Sequence, residues 1–192
     1  MIRVAIVDDH PALVAGLTAV LRTEPGFAAV GTATSEEESW PMLYRAAPDV
    51  VLLDYHLPRG DGLHLCHRIK SQAGAPKVVI FSAYADPVLG LAARAAGADG
   101  MAGKAAPAHE LFNLLRQVSR GEKVLPPVSR EQLNEASSRL EPEDLPLLSL
   151  LLDATPPSEI CQTLRIDGEE LGRRTERILG RLRVNVPSAP GG

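Results

Sequence analysis

Cysteine is scarce in this 192-residue sequence: there are two, Cys66 and Cys161, far apart and without metal-ligand spacing. That excludes a disulfide framework and a zinc site, and it suits a reducing cytoplasm. No apolar run approaches bilayer-spanning length, so no membrane contact is expected. The opening MIRVAIVDDH lacks the basic start, long apolar stretch and small-residue cleavage site of a signal peptide. Internal repeats and low-complexity tracts are also missing. A glycine-rich phosphate-binding turn is absent after the first apolar run, where DDHPALVAGL puts acids in place of backbone donors. A nucleotide- or flavin-binding role loses ground accordingly. What is present, 45% hydrophobic and 23% charged residues, suits one or two soluble globular domains with a real core.

Apolar runs alternate with helical patterns through residues 1–120. IRVAIVDD, FAAVGTA, DVVLLD, KVVIFSAY and the weaker ADGMAGK read as strands. The segments between and after them read as amphipathic helices, among them one starting at Ser35 that Pro41 should kink or delay. The unbroken Val50-Val51-Leu52-Leu53 run is the pattern of a strand covered on both faces. Five strands alternating with five helices predict a doubly wound α/β fold with a five-stranded parallel sheet. Residues 121–139 read as a linker with a short helical tail. Residues 140–184 read as a small all-α domain of three short helices, and residues 185–192 as a flexible tail.

In a doubly wound sheet, functional groups collect where the strands end. The polar residues at those ends are Asp8 and Asp9, Asp54, Ser82 and Lys104. Three crowded carboxylates repel one another unless one is protonated or a divalent cation holds them, and an all-oxygen set suits Mg²⁺. An acid surfacing from a buried strand, beside a metal, a hydroxyl and a lysine, makes a site for phosphoryl transfer to Asp54. Each of these residues alone has a blander reading, as loop solvation or a helix start.

Residues 1–120 resemble the receiver domain of two-component response regulators. The likeness rests on the paired acids, on LLDYHLPRGDG matching the family's D-x-x-(M/L)-P-x-x-(D/G)-G loop, and on the interval from Ser82 to Lys104. It implies Asp54 as phosphoacceptor, with Mg²⁺ held by Asp9, Asp54 and the backbone carbonyl of His56 and assisted by Asp8 through water. It further implies Ser82 as switch hydroxyl, Lys104 as the phosphoryl's cation and a sensor histidine kinase as partner. The expected readout is a shift of the fourth helix and fifth strand, around GADGMAGKAAP, that changes dimerisation or domain contacts. Met101 departs from the family's usual aromatic residue three before the lysine, which implies a looser switch. His56 and Tyr84 are expected to flank the phosphoryl group and restrict attacking water.

Residues 140–184 resemble the LuxR-type helix-turn-helix of NarL/FixJ-type regulators in apolar spacing. The likeness implies DNA as a partner, contacted by Arg173, Arg174, Arg177 and Arg181 on the second helix of the motif. Against this, residues 140–192 carry six arginines and nine acids, whereas a DNA-binding module normally presents a basic surface. Glu169 and Glu170 also stand where that helix should approach phosphates. The expected function is phosphorylation-controlled transcription regulation, with a homodimer forming through the receiver. The alternative is a protein-interaction module without direct DNA contact, and an independent enzyme is the least supported, since no substrate pocket is evident beyond the acceptor site.

Overall fold

The computed structural model describes residues 1–58, 60–83 and 87–183. The chain runs β1 (Ile2–Val7), α1 (Pro11–Thr23), β2 (Phe27–Ala33), α2 (Glu36–Ala46), β3 (Val50–Asp54), a hairpin of β4 (His56–Leu57) and β5 (Gly60–Asp61), then α3 (Gly62–Lys70). It continues through β6 (Lys77–Ser82), α4 (Pro87–Ala95), β7 (Gly100–Gly103) and α5 (Ala108–Ser119). Beyond these come α6 (Arg130–Ser138), a 3-10 turn (Pro142–Asp144), α7 (Leu145–Leu152), α8 (Pro157–Leu164) and α9 (Gly168–Leu182).

The larger sheet is five-stranded and parallel, ordered β2-β1-β3-β6-β7, as the alternation of apolar runs and helical patterns requires. Successive strand residues point to opposite faces, and both faces are covered. Ala5, Val7, Val51, Leu53, Val78 and Ile80 enter one core with α3 and α4. Val4, Ile6, Val50, Leu52, Val79 and Phe81 enter the other, with α1 and α5. The continuous apolar pattern of β3 follows directly, for all five of its residues are buried.

Two local expectations are adjusted. Helix α2 starts at an N-cap Ser35 that accepts a hydrogen bond from the Glu38 backbone, yet it runs through Pro41 to Ala46 without interruption. The proline has no N–H to offer the turn before it, but Glu37 and Pro41 both lie on the exposed side of the helix, where that loss is least costly. The segment read as a linker is ordered against the sheet: Val124 bridges to Gly100 beside β7, its carbonyl accepts from Met101 at 3.0 Å, and α6 is closed by a Ser129–Gln132 capping box.

The loop after β3 is compact for a steric reason. The Gly62 backbone donates to the Tyr55 carbonyl at 2.7 Å, and a Cβ at Gly62 would lie 2.1 Å from the Asp54 carbonyl oxygen. Only glycine lets the chain fold back this closely after the acid.

The C-terminal helices do not stand apart. The core on the α3/α4 side of the sheet continues into Ala136, Leu147, Leu148, Ile178, Leu179 and Leu182, so α4 packs on α6, α7 and α9 while α3 meets α9. Inside this helical unit Asp144 is wholly buried. It accepts from Arg174 Nε at 2.9 Å and from Arg177 Nε and Nη2 at 2.8 Å each. Burial pushes its carboxyl up, but the two guanidiniums outweigh that and the net displacement is downward.

Gly62→Ala is expected to cost about 3 kcal/mol through the clash with the Asp54 carbonyl, read from the midpoint of urea unfolding. Asp144→Ala is expected to destabilise the chain by about 2 kcal/mol, less than a fully buried pair would lose because Arg177 reaches solvent. The Asp144 contribution is present above the ordinary carboxylate value and is lost as pH falls through its lowered one. Thermal unfolding of wild type and variant at neutral and acidic pH should therefore converge as the pH drops.

Candidate functional site

The strand order reverses at β1, which has β2 on one side and β3 on the other. Asp8 follows β1 directly, with its backbone N–H bonded to the Ala33 carbonyl at the end of β2. Asp54 is the last residue of β3 and lies in register with Phe81 of β6. Ser82 ends β6 in register with Gly103, and Lys104 follows, donating its backbone N–H to the Ser82 carbonyl at 2.7 Å. Sheet register alone thus brings four residues from the ends of four strands to one edge.

Three of their side chains meet, those of Asp8, Asp54 and Lys104. The Lys104 ammonium lies 2.7 Å from Asp8 Oδ2 and 2.8 Å from Asp54 Oδ2. Both carboxylates are 1% exposed, so two charges that would repel in a dry site share one cation. Asp54 Oδ1 accepts from the His56 backbone N–H at 3.3 Å. Burial pushes the Asp54 carboxyl above its ordinary range. The Lys104 hydrogen bond opposes that rise, and the nearby Asp8 charge adds to it. Asp9 is one-third exposed, and Ser82 is fully buried.

An open pocket of about 600 Å³ lies over Asp54, walled by Asp9, His10, His56, Pro58 and Lys104 among others. His56 therefore flanks the acid as expected, while Tyr84 lies outside the described residues. Met101 is buried, its side chain in the core on the α3/α4 side.

His10 is the residue that sequence reasoning passed over. Its Nδ1 lies 2.8 Å from Asp9 Oδ1, 3.1 Å from Asp8 Oδ1 and 3.9 Å from Asp54 Oδ2. Its place directly after the acid pair and before Pro11 was the available signal. Ligand atoms of Asp8, Asp9, His10 and Asp54 all fall within 4.8 Å of one another. Apart from their ion-pair contacts, Asp8 Oδ2, Asp9 Oδ1 and Asp54 Oδ2 are buried oxygens that accept no hydrogen bond. Clustered carboxylate oxygens are the donor set a hard divalent cation requires.

The four arginines expected at DNA are drawn together on α9, but each faces an acid of its own domain. Arg173 lies 2.6 Å from Glu170 and 3.5 Å from Glu169. Arg174 is largely buried on Asp144, Arg177 spans Asp144 and Glu143, and Arg181 lies 2.8 Å from Glu141. The partners of Arg174, Arg177 and Arg181 sit in or just before the turn that precedes α7, thirty to forty residues before the arginines they meet. Arg174 is thus an internal anchor rather than an available contact, whereas Arg173 is exposed.

Comparison with known proteins agrees with this geometry. The family model of the response regulator receiver domain matches residues 4–116. The transcriptional regulatory protein DesR of Bacillus subtilis (strain 168) is 28% identical over 184 residues, spanning 96% of this chain and 92% of that protein. A crystal structure of a LuxR-family two-component response regulator from Aurantimonas sp. SI85-9A1 is 28% identical with a TM-score of 0.61, covering 73% of this chain and 99% of that one. RcsB of Salmonella enterica serovar Typhimurium, bound to promoter P1flhDC, is 21% identical. It covers 97% of this chain and 94% of its own at a TM-score of 0.61, a likeness of fold that extends through the C-terminal helices. With the receiver match covering more than half of its length and an acid–lysine cluster at the switch point of its sheet, the chain belongs to the response regulator receiver family.

Proposed function

We propose that a sensor histidine kinase phosphorylates this regulator on Asp54, and that the phosphorylated form controls transcription through the helix-turn-helix formed by α8 and α9. The observation that carries the reading is the single ammonium of Lys104 seated between two buried carboxylates at the floor of an open pocket. In the transfer step an Asp54 oxygen forms a bond to phosphorus as the bond from phosphorus to the kinase's histidine nitrogen breaks, its electron pair staying on that nitrogen. Lys104 moves from pairing two carboxylates to pairing the incoming phosphoryl oxygens, and the Ser82 hydroxyl at the end of β6 donates to one of them. The His56 backbone N–H orients the nucleophilic carboxylate. Asp8, Asp9, Asp54 and the His56 carbonyl would hold Mg²⁺, which supplies further neutralisation of the oxyanion charge.

The division of labour is by segment, although one apolar core runs through both parts: residues 1–120 receive the phosphoryl group and 140–184 act on DNA, with 121–139 joining them. The packing of α9 on α3 and α4 describes a closed form. Its arginines are neutralised locally, so DNA contact requires release of α9 together with exchange of acid partners for phosphates. Such an exchange is salt-sensitive. DesR, named as a transcriptional regulator, matches this chain over nearly its whole length, which favours the DNA reading over an interaction module without it. Homodimerisation through the receiver would place two such helices on one site. Among the described residues no helix is long and apolar enough to cross a membrane, which agrees with action in the cytoplasm.

Asp54→Asn is expected to abolish the phosphoprotein band on a phosphate-affinity gel, and Lys104→Ala to slow its appearance by on the order of a hundredfold. Full-length protein treated with a beryllofluoride phosphoryl mimic should bind promoter DNA with an affinity that falls steeply with salt, weakened in Arg173→Ala. Absence of binding at low salt in both the mimic-treated and untreated forms would overturn the DNA reading.

A further inference from the structure

A second charged cluster lies away from the phosphoacceptor pocket, at the seam between α3 and α9. Asp61 ends the β4/β5 hairpin in register with His56 and caps α3, accepting from the His64 backbone N–H at 2.9 Å. Its two carboxylate oxygens lie 2.9 and 3.0 Å from the His64 ring Nδ1. Arg183, just past the end of α9, places Nε 2.5 Å from Asp61 Oδ2. Across the ring, His64 Nε2 lies 3.3 Å from the backbone carbonyl oxygen of Glu176, midway along α9.

An ionised carboxylate and a carbonyl can only accept, and a neutral imidazole carries one N–H. Both ring nitrogens of His64 face acceptors, so a neutral ring leaves one of the two contacts unmade. We propose that His64 is a proton-dependent latch between the domains, its imidazolium bridging Asp61 of the receiver to the Glu176 carbonyl of α9, so that loss of one proton loosens α9.

The electrostatics agree. The hydrogen bond to Asp61 raises the His64 value above the ordinary 6.5, against burial and the Arg183 charge. Burial pushes the Asp61 carboxyl up, but His64 and Arg183 hold it lower on balance, so Asp61 stays ionised throughout the histidine range. A raised base stabilises the docked form fully below its ordinary value, and that contribution disappears as pH rises through the raised one. Other titratable and charged groups surround Asp61 and the ring, His56 among them, in register with Asp61 across the hairpin. His67, one turn along α3, is held low by burial and is neutral there. The carboxylate of Glu176 on α9 and the guanidinium of Arg183 just beyond it are the other charges that act on this α3 face. Beneath α3, Asp54 of β3 is engaged with Lys104, and Lys77 of β6 with Asp99. The hairpin that holds Asp61 also holds His56, whose N–H bonds the phosphoacceptor, so proton and phosphoryl inputs meet on one short segment.

The inference concerns docking of α9 and stands whether or not α9 contacts DNA. Amide exchange of residues 171–182, corrected for intrinsic rates, would be followed in the full-length protein from about pH 6.5 to about pH 8.5 together with the scattering radius of gyration. Wild type should lose about threefold to tenfold protection and expand over that range. His64→Gln, which fills the same space and takes no proton, should show weak protection that does not vary with pH. Arg183→Gln should retain the pH dependence at lower overall protection. A wild-type profile that is flat, or a His64→Gln profile that still falls, would overturn the latch. If His64→Gln fails to fold by circular dichroism, NMR titration of the wild-type ring decides: a value above 6.5 supports the latch and one at or below 6.5 overturns it.

Discussion

The ammonium of Lys104 between Asp8 and Asp54 is the contact on which the receiver depends. Two carboxylates at 1% exposure have lost most of their hydration, and only a cation at hydrogen-bond distance makes both charges tolerable in so dry a place. The same arrangement keeps the Asp54 carboxylate at the floor of an open pocket with a positive charge beside it. The sheet's job is to deliver these groups: β1 brings the first acid, β3 the second, and the chain just after β7 brings the lysine. None of the three positions tolerates a slip in register, since a one-residue shift turns each side chain to the opposite face of the sheet.

From that centre the short β4/β5 hairpin carries the structure outward. Gly62 lets the chain return within contact of the Asp54 carbonyl, and Asp61 immediately before it reaches the C-terminal end of α9 through Arg183. A few residues thus link Asp54 to the end of α9. Met101, where the resemblance leads one to expect an aromatic side chain, is buried in the core on the α3/α4 side. In the closed form the arginines of α9 face the acids of the α7 turn, so the segment's acidic balance is used internally to hold a basic helix.

Much of the receiver was legible because its signals are local or periodic. The four apolar residues before Asp54 announced a strand covered on both faces, and they are buried on both sides of the sheet. The acids, Ser82 and Lys104 could be assembled from strand ends alone, because parallel crossovers leave little freedom in where those ends lie. His10 was less visible: a lone histidine after two acids reads as a helix start until its ring is seen within 4 Å of three carboxylates. Pro41 misled in the other direction, since its cost depends on whether that side of the helix is exposed, which a one-dimensional pattern does not record.

By itself the sequence determined the alternation of strands and helices, the acid pair, the phosphoacceptor loop and the apolar spacing of the C-terminal helices, since each is written in neighbours within a few residues. Tertiary structure alone decided that Asp144 takes up Arg174 and Arg177, that α9 lies on α3 and α4, and that His64 stands between two acceptors. These pairings join residues from about thirty to more than a hundred positions apart. Charges so far apart in the chain meet only after packing of the apolar faces has set their distance, so no local pattern encodes them.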